Sequence, residues 1–131
     1  MENSFVLTIV FLLKKFEIMS KINIQFPDSS IKSYSKGTSC LEIVKSISNS
    51  LSKKVLVASF NDKLIDLSSK LNEDGLIKFY TWDDDEGKST FWHSSAHILA
   101  ESVENIYPGV KFGIGPPIAN GFYYDIDFGN V

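Results

Sequence analysis

Two histidines, His93 and His97, are the only ones in the 131-residue chain, and they stand in the run His93-Ser94-Ser95-Ala96-His97. Residues four apart on a helix project from one face. The two imidazoles can therefore converge on one water, substrate or metal. A neutral imidazole accepts a hydrogen bond from an attacking water and an imidazolium donates one, which suits hydrolysis by general acid–base catalysis. Tetrahedral zinc takes four protein ligands when structural and three when catalytic, more than two histidines supply. His93 and His97 are thus the candidate catalytic residues, with no metal-ligating and no cofactor-binding residue assigned.

The helix that must carry them is predicted to begin at Ser89 or Thr90, either of which can cap it, and to end before Pro108-Gly109. Trp92, Ala96, Leu99, Val103 and Ile106 form its expected buried stripe. His93 and His97, followed by Ala100, Glu101 and Glu104, fall about 100° round the helix from that stripe. Histidines at the edge of an apolar stripe face a groove rather than the core. Beyond the helix, Lys111–Ile114 and Phe122–Phe128 are expected strands. Asn120-Gly121 signals a tight turn, and Gly113 and Gly115 leave room for close backbone approach. One helix and a strand pair bury little, so residues 89–131 are not expected to reach a settled fold alone.

The preceding residues read as a separate small sheet. Ile22, Ile24 and Phe26 alternate with polar residues, Pro27-Asp28-Ser29-Ser30 is a turn, and Ile31–Tyr34 returns as the second strand of a hairpin. Ser39-Cys40-Leu41-Glu42 has the spacing of a capping box. Leu41, Val44, Ile47 and Leu51 follow at helical intervals and predict about ten helical residues. Val55–Phe60, Lys63–Leu67 and Leu76–Trp82 are strand candidates, with Asn61-Asp62 as a turn. A hairpin, a helix and further strands make a small α+β sheet with one helix across it, the order of a ubiquitin-like β-grasp. Asp83-Asp84-Asp85-Glu86-Gly87 reads as a solvated acidic linker.

Charge and cysteine usage narrow the function classes. Residues 1–88 hold twelve lysines and twelve acids, whereas residues 89–131 hold Lys111 alone against four acids. Arginine, the preferred bidentate phosphate ligand, is absent throughout. The segment is poorly equipped to grip nucleic acid by itself. Cys40 is the only cysteine, which excludes an intrachain disulfide and fits a reducing compartment. Phe5–Leu13 is an apolar run of nine residues, too short for a bilayer span of about 20. Its flanks are wrong for a signal peptide, because Glu2 precedes it and Lys14 and Lys15 follow it. No membrane partner is expected. Residues 1–18 are read as a leader upstream of the natural start at Met19.

Taken together, these blocks resemble the N-terminus of threonyl-tRNA synthetases, a family that opens with a TGS domain of β-grasp fold followed by an editing domain. The TGS likeness rests on Ile24-Gln25-Phe26-Pro27-Asp28, the capped helix, and Asn61-Asp62-Lys63-Leu64-Ile65-Asp66-Leu67. The editing likeness rests on Asp84-Asp85-Glu86-Gly87, His93-Ser94-Ser95-Ala96-His97, Tyr107-Pro108, Gly115-Pro116 and Gly121-Phe122-Tyr123-Tyr124-Asp125, in order. Alanyl-tRNA synthetase editing domains share the histidine helix but not a preceding TGS domain or the Gly-Phe-Tyr-Tyr-Asp block.

With residues 1–18 read as a leader and 83–88 as an acidic linker, the resemblance implies a TGS domain at 19–82 and the first helix and strands of an α+β editing domain at 89–131. It implies that His93 and His97 line a pocket hydrolysing seryl-tRNA, completed by a downstream Cys-x-x-x-His pair and a lysine outside these residues. For whole synthetases it implies ATP, magnesium and zinc as cofactors, threonine tRNA as partner (its 3′ end at the editing site), a homodimer, and the cytoplasm. The segment alone is not expected to ligate threonine to tRNA. Two readings compete: a non-catalytic TGS-containing binding module, and a free-standing trans-editing hydrolase.

Overall fold

In the computed structural model, which describes residues 6–13 and 20–129, Ile22 and Ile24 point to one side of strand β1 (Lys21–Gln25) and are buried between exposed neighbours. β1 pairs antiparallel with β2 (Ile31–Ser35), with Ile24 opposite Lys32. The turn between them is the predicted one. Ser29 takes φ 66°, and the Asp28 carboxylate accepts from the Ser30 amide and hydroxyl at 3.0 and 2.6 Å. These bonds hold the Asp28 carboxyl below its ordinary range, the hydroxyl bond foremost.

Helix α2 (Cys40–Ile47) opens with a complete capping box. The Glu42 amide donates to the Ser39 hydroxyl oxygen, and the Ser39 amide donates to Glu42 Oε2 at 2.8 Å. The predicted ten-residue helix is interrupted. Ser48 is extended (φ −157°, ψ 121°), and its side chain caps a second short helix, α3 (Asn49–Ser52), by accepting from the Leu51 amide at 3.1 Å. Within α2 the buried face also differs from the expected stripe. Cys40, Ile43 and Val44 are buried, while Ile47 from the expected stripe remains 39% exposed.

Strands β4 (Val57–Phe60), β5 (Lys63–Ile65) and β7 (Gly75–Tyr80) complete a mixed five-stranded sheet ordered β2-β1-β7-β4-β5, with β7 parallel to β1. Asn61 and Asp62 both have positive φ, 48° and 63°, the conformation a two-residue hairpin turn requires. A small pair, β3 (Thr38–Ser39) with β6 (Lys70–Leu71), anchors the start of α2. Ile22, Ile24, Phe26, Cys40, Ile43, Ala58, Leu71 and Ile77 form the core beneath the helix. Full burial of each large aliphatic there stabilises the fold by about 1.5–3 kcal/mol before entropy is counted. Cys40 is part of this core, and burial pushes its thiol up to about 11.

The chain divides into two compact units, Met1–Lys53 with Ala58–Phe79, and Lys54–Val57 with Tyr80–Val131. In the second, helix α4 runs Asp85–Ile106. It starts four residues before Ser89, so the acidic stretch expected as a linker to residue 88 supplies the helix's first turn. Asp85 and Glu86 lie where negative charge meets the positive end of the helix dipole. Beyond α4, the expected strand pair appears as two short ladders. β8 (Lys111–Phe112) pairs with β11 (Ile126–Asp127), and β9 (Pro117–Ile118) pairs with β10 (Gly121–Phe122). The hairpin loop is Ala119-Asn120, one residue earlier than predicted, with Gly121 taking the positive φ of 152°.

Of the proposed leader, residues 6–13 form a helix, α1, whose side chains are all exposed. The expected start at Met19 lies outside the described residues. Among the described residues no helix is long and apolar enough to cross a membrane.

Candidate functional site: a histidine pair on α4

The turn that launches α4 is tightly closed. The Asp84 carboxylate accepts from the Thr81 amide at 2.7 Å, and the Asp84 amide returns a bond to the Thr81 carbonyl at 3.2 Å. Gly87, buried in the first helical turn, sits directly against that carbonyl. A Cβ placed there would lie 1.8 Å from the Thr81 oxygen. Glycine is thus required for close approach and not for a special φ.

One turn further along, Phe91 and Trp92 join Trp82 in an aromatic cluster. Their rings meet edge-on, with centroids 5.0 to 5.7 Å apart. Phe122 of β10 meets Trp92 at 6.3 Å and fixes the hairpin against the helix. Ala96 is buried, but Leu99 is 40% and Ile106 69% exposed, so the expected apolar stripe is covered only over its first half. Nothing in residue type signals this; periodicity marks which face is apolar, not how much of it is covered.

His93 and His97 lie beside the covered part of the stripe, both exposed. Their Nε2 atoms are 3.0 Å apart, a hydrogen bond between the two rings, with centroids 4.7 Å apart and planes at 78°. With both rings neutral, one must carry its proton on Nε2 and the other on Nδ1. The two Nε2 atoms thus satisfy each other, and the rings are left with one free Nδ1 acceptor and one free Nδ1–H donor. The intervening serines do not compete as nucleophiles: Ser94 and Ser95 donate their hydroxyls to the Thr90 and Phe91 carbonyls at 2.9 and 2.8 Å. A cavity of about 430 Å³ lies at the N-terminal end of α4, lined by Asp85, Lys88, Ser89 and Pro117 to Asn120, with Ser89 one helical turn before His93. It contains no histidine.

The structure brings His93 and His97 together as the sequence predicts. Among the described residues no group of three or more His, Cys, Asp or Glu side chains could hold a metal ion. Asp84, within the acidic run, spends its carboxylate on Thr81 instead.

Comparison with known proteins supplies the context. Residues 22–81 match the family model described as the TGS domain. The chain is 54% identical over 110 residues to the threonine–tRNA ligase of Parabacteroides distasonis, an alignment covering 84% of this chain and 17% of that protein. It is 53% identical over 109 residues to the threonine–tRNA ligase of Cytophaga hutchinsonii, covering 83% and 17%. The ligase of Flavobacterium psychrophilum is 46% identical over 110 residues, covering 84% and 17%. The chain thus spans about a sixth of the length of the curated relatives it matches. Along that stretch the chain is similar to threonine–tRNA ligases, and residues 22–81 of it are a TGS domain.

Proposed function

We propose that this chain forms part of a threonine–tRNA ligase and that its histidine pair serves proofreading, the hydrolysis of serine wrongly esterified to threonine tRNA. The observation that carries the reading is the convergence of the His93 and His97 Nε2 atoms at 3.0 Å on an exposed helix face, in a chain whose relatives are such ligases.

The chemical need follows from size. Serine is threonine without one methyl group and fits any pocket made for threonine. A single methyl supports only about 1–3 kcal/mol of discrimination, so a ligase gains accuracy from a second, hydrolytic site. Water entering the pair displaces the bond between the two rings, donates to the Nε2 lone pair that this frees, and gives that nitrogen its proton as the water oxygen attacks the ester carbonyl carbon. The resulting imidazolium returns a proton to the ribose oxygen as the carbon–oxygen bond breaks. Serine and uncharged tRNA leave, and both histidines regain their starting protonation. General acid–base help of this kind is worth about 10²–10⁴ in rate. ATP-dependent ligation of threonine belongs to the rest of the ligase, acting in the cytoplasm as a dimer.

Binding of a non-hydrolysable seryl-adenosine amide to a full-length ligase carrying this segment tests the placement. The two imidazole resonances should shift on binding, and a threonyl amide should shift them less. Full binding that leaves both resonances unmoved would remove the pair from the site.

A further inference from the structure

We infer that the first unit carries a docking site for an extended peptide at the open edge of its sheet. Strand β2 is the outer strand on its side, and its residues other than Tyr34 are exposed. The ladder with β1 fixes which backbone groups are free to pair outward. Phe26 donates to the Ser30 carbonyl and Lys36 to the Ser20 carbonyl, so Ser30, Lys32, Tyr34 and Lys36 face β1. The alternation of an antiparallel pair then turns the amides and carbonyls of Ile31 and Ser33 away from β1, toward the open edge. Ser35 also faces outward, but its carbonyl accepts from the Thr38 hydroxyl at 2.6 Å. Ile31 and Ser33 together offer two donors and two acceptors at the spacing an added strand requires.

A groove of about 420 Å³ lies beside this edge. Phe26, Ile47, Leu51 and Phe79 give it apolar walls, and Asp28 and Lys32 stand among its polar lining residues. The Tyr34 hydroxyl meets Ser46 Oγ at 2.9 Å, tying β2 to α2 so that the walls are held before any ligand arrives. Charge sets the occupant. Asp28 is engaged by Ser30 and lies at the turn end of the strand. Lys32 and Lys36 follow along the strand, and no acid occurs between Asp28 and Glu42. The complementary ligand is a short extended segment with aliphatic residues at alternate positions and acidic residues at the flank over Lys32 and Lys36. Backbone pairing supplies affinity, the groove reads alternate side chains, and the lysines set direction.

The full chain is titrated with the labelled peptide Ser-Ile-Thr-Val-Ser-Val-Glu-Glu and with a control ending in Lys-Lys. Binding of the acidic peptide, weakened by salt, with new amide protection at Ile31 and Ser33, is the expected result. Lys32→Glu should weaken it about tenfold and favour the Lys-Lys control. Ser33→Pro, which removes an outward donor, and Ile47→Asp, at a partly exposed groove position, should each abolish binding with the melting curve retained. No binding at millimolar peptide overturns the inference. So does equal binding of both peptides, protection at another edge, or self-association of the chain through β2 in place of peptide binding.

Discussion

Replacing Gly87 with Ala sets two effects against each other, and the structure decides the sign. In an exposed helix the change would stabilise by about 1 kcal/mol, because Ala is the better helix former. Here the new Cβ would start 1.8 Å from the Thr81 oxygen and must move out to ordinary contact near 3.4 Å. The Thr81–Asp84 turn therefore has to open by more than an ångström. Three hydrogen bonds span that turn: the Thr81 amide and hydroxyl donate to the Asp84 carboxylate at 2.7 and 3.2 Å, and the Asp84 amide donates to the Thr81 carbonyl at 3.2 Å. Losing them costs about 3 kcal/mol, the carboxylate bonds being the stronger. Residual crowding adds about 1 kcal/mol or more. The net expectation is a loss of about 3 kcal/mol in the second unit. Trp82 and Trp92 are the only tryptophans and both lie in that unit, so their fluorescence during urea unfolding reports on it selectively. A midpoint equal to or above that of the parent chain would refute the argument and show that the turn yields at little cost.

Ser39→Ala removes the capping box of α2 and should cost the first unit about 1 kcal/mol, read as a fall of several degrees in its thermal midpoint; no change would mean that β3–β6 pairing alone fixes the helix start. Cys40, buried and with its thiol pushed up to about 11, should react with a disulfide reagent at pH 8 only as fast as the unit unfolds, and rapid labelling in native buffer would contradict its place in the core. Hydrogen bonds from Ser30, Ser39 and Ser68 hold the carboxyls of Asp28, Glu42 and Asp66 below their ordinary values. Because the folded state binds those protons less readily, their contribution is complete above the ordinary carboxylate range and is lost as pH falls below about 4. Acid unfolding of the first unit followed by far-UV circular dichroism should be shallower in the Asp28→Asn, Asp66→Asn double variant, and an identical profile would count against it.

Local signals carried furthest where side chain and backbone settle the matter within a few residues. Ser39 and Glu42 announced the capping box, Asn61-Asp62 the hairpin, and Pro108-Gly109 the end of α4. Ser48 escaped because the apolar spacing runs through it to Leu51, while its own hydroxyl caps a new helix. The early start of α4 was hidden in an acidic run that looks like solvated linker. Its signal was present in Asp84-Asp85-Glu86, an N-terminal turn in favour with the helix dipole. The role of Gly87 was not legible, since it depends on where the Thr81 carbonyl lies in space. The histidine pair was legible as a shared face but not as a hydrogen-bonded couple, because spacing fixes direction and not the last ångström between two rings.

The most direct test of the proofreading reading is serine release from seryl-tRNA of the threonine type by a full-length ligase carrying this segment, with His93 and His97 both changed to Ala. Release should fall by about 10²-fold or more, while threonine transfer to the same tRNA and the melting curve stay near those of the parent enzyme. An unchanged release rate in the well-folded double variant would contradict the account.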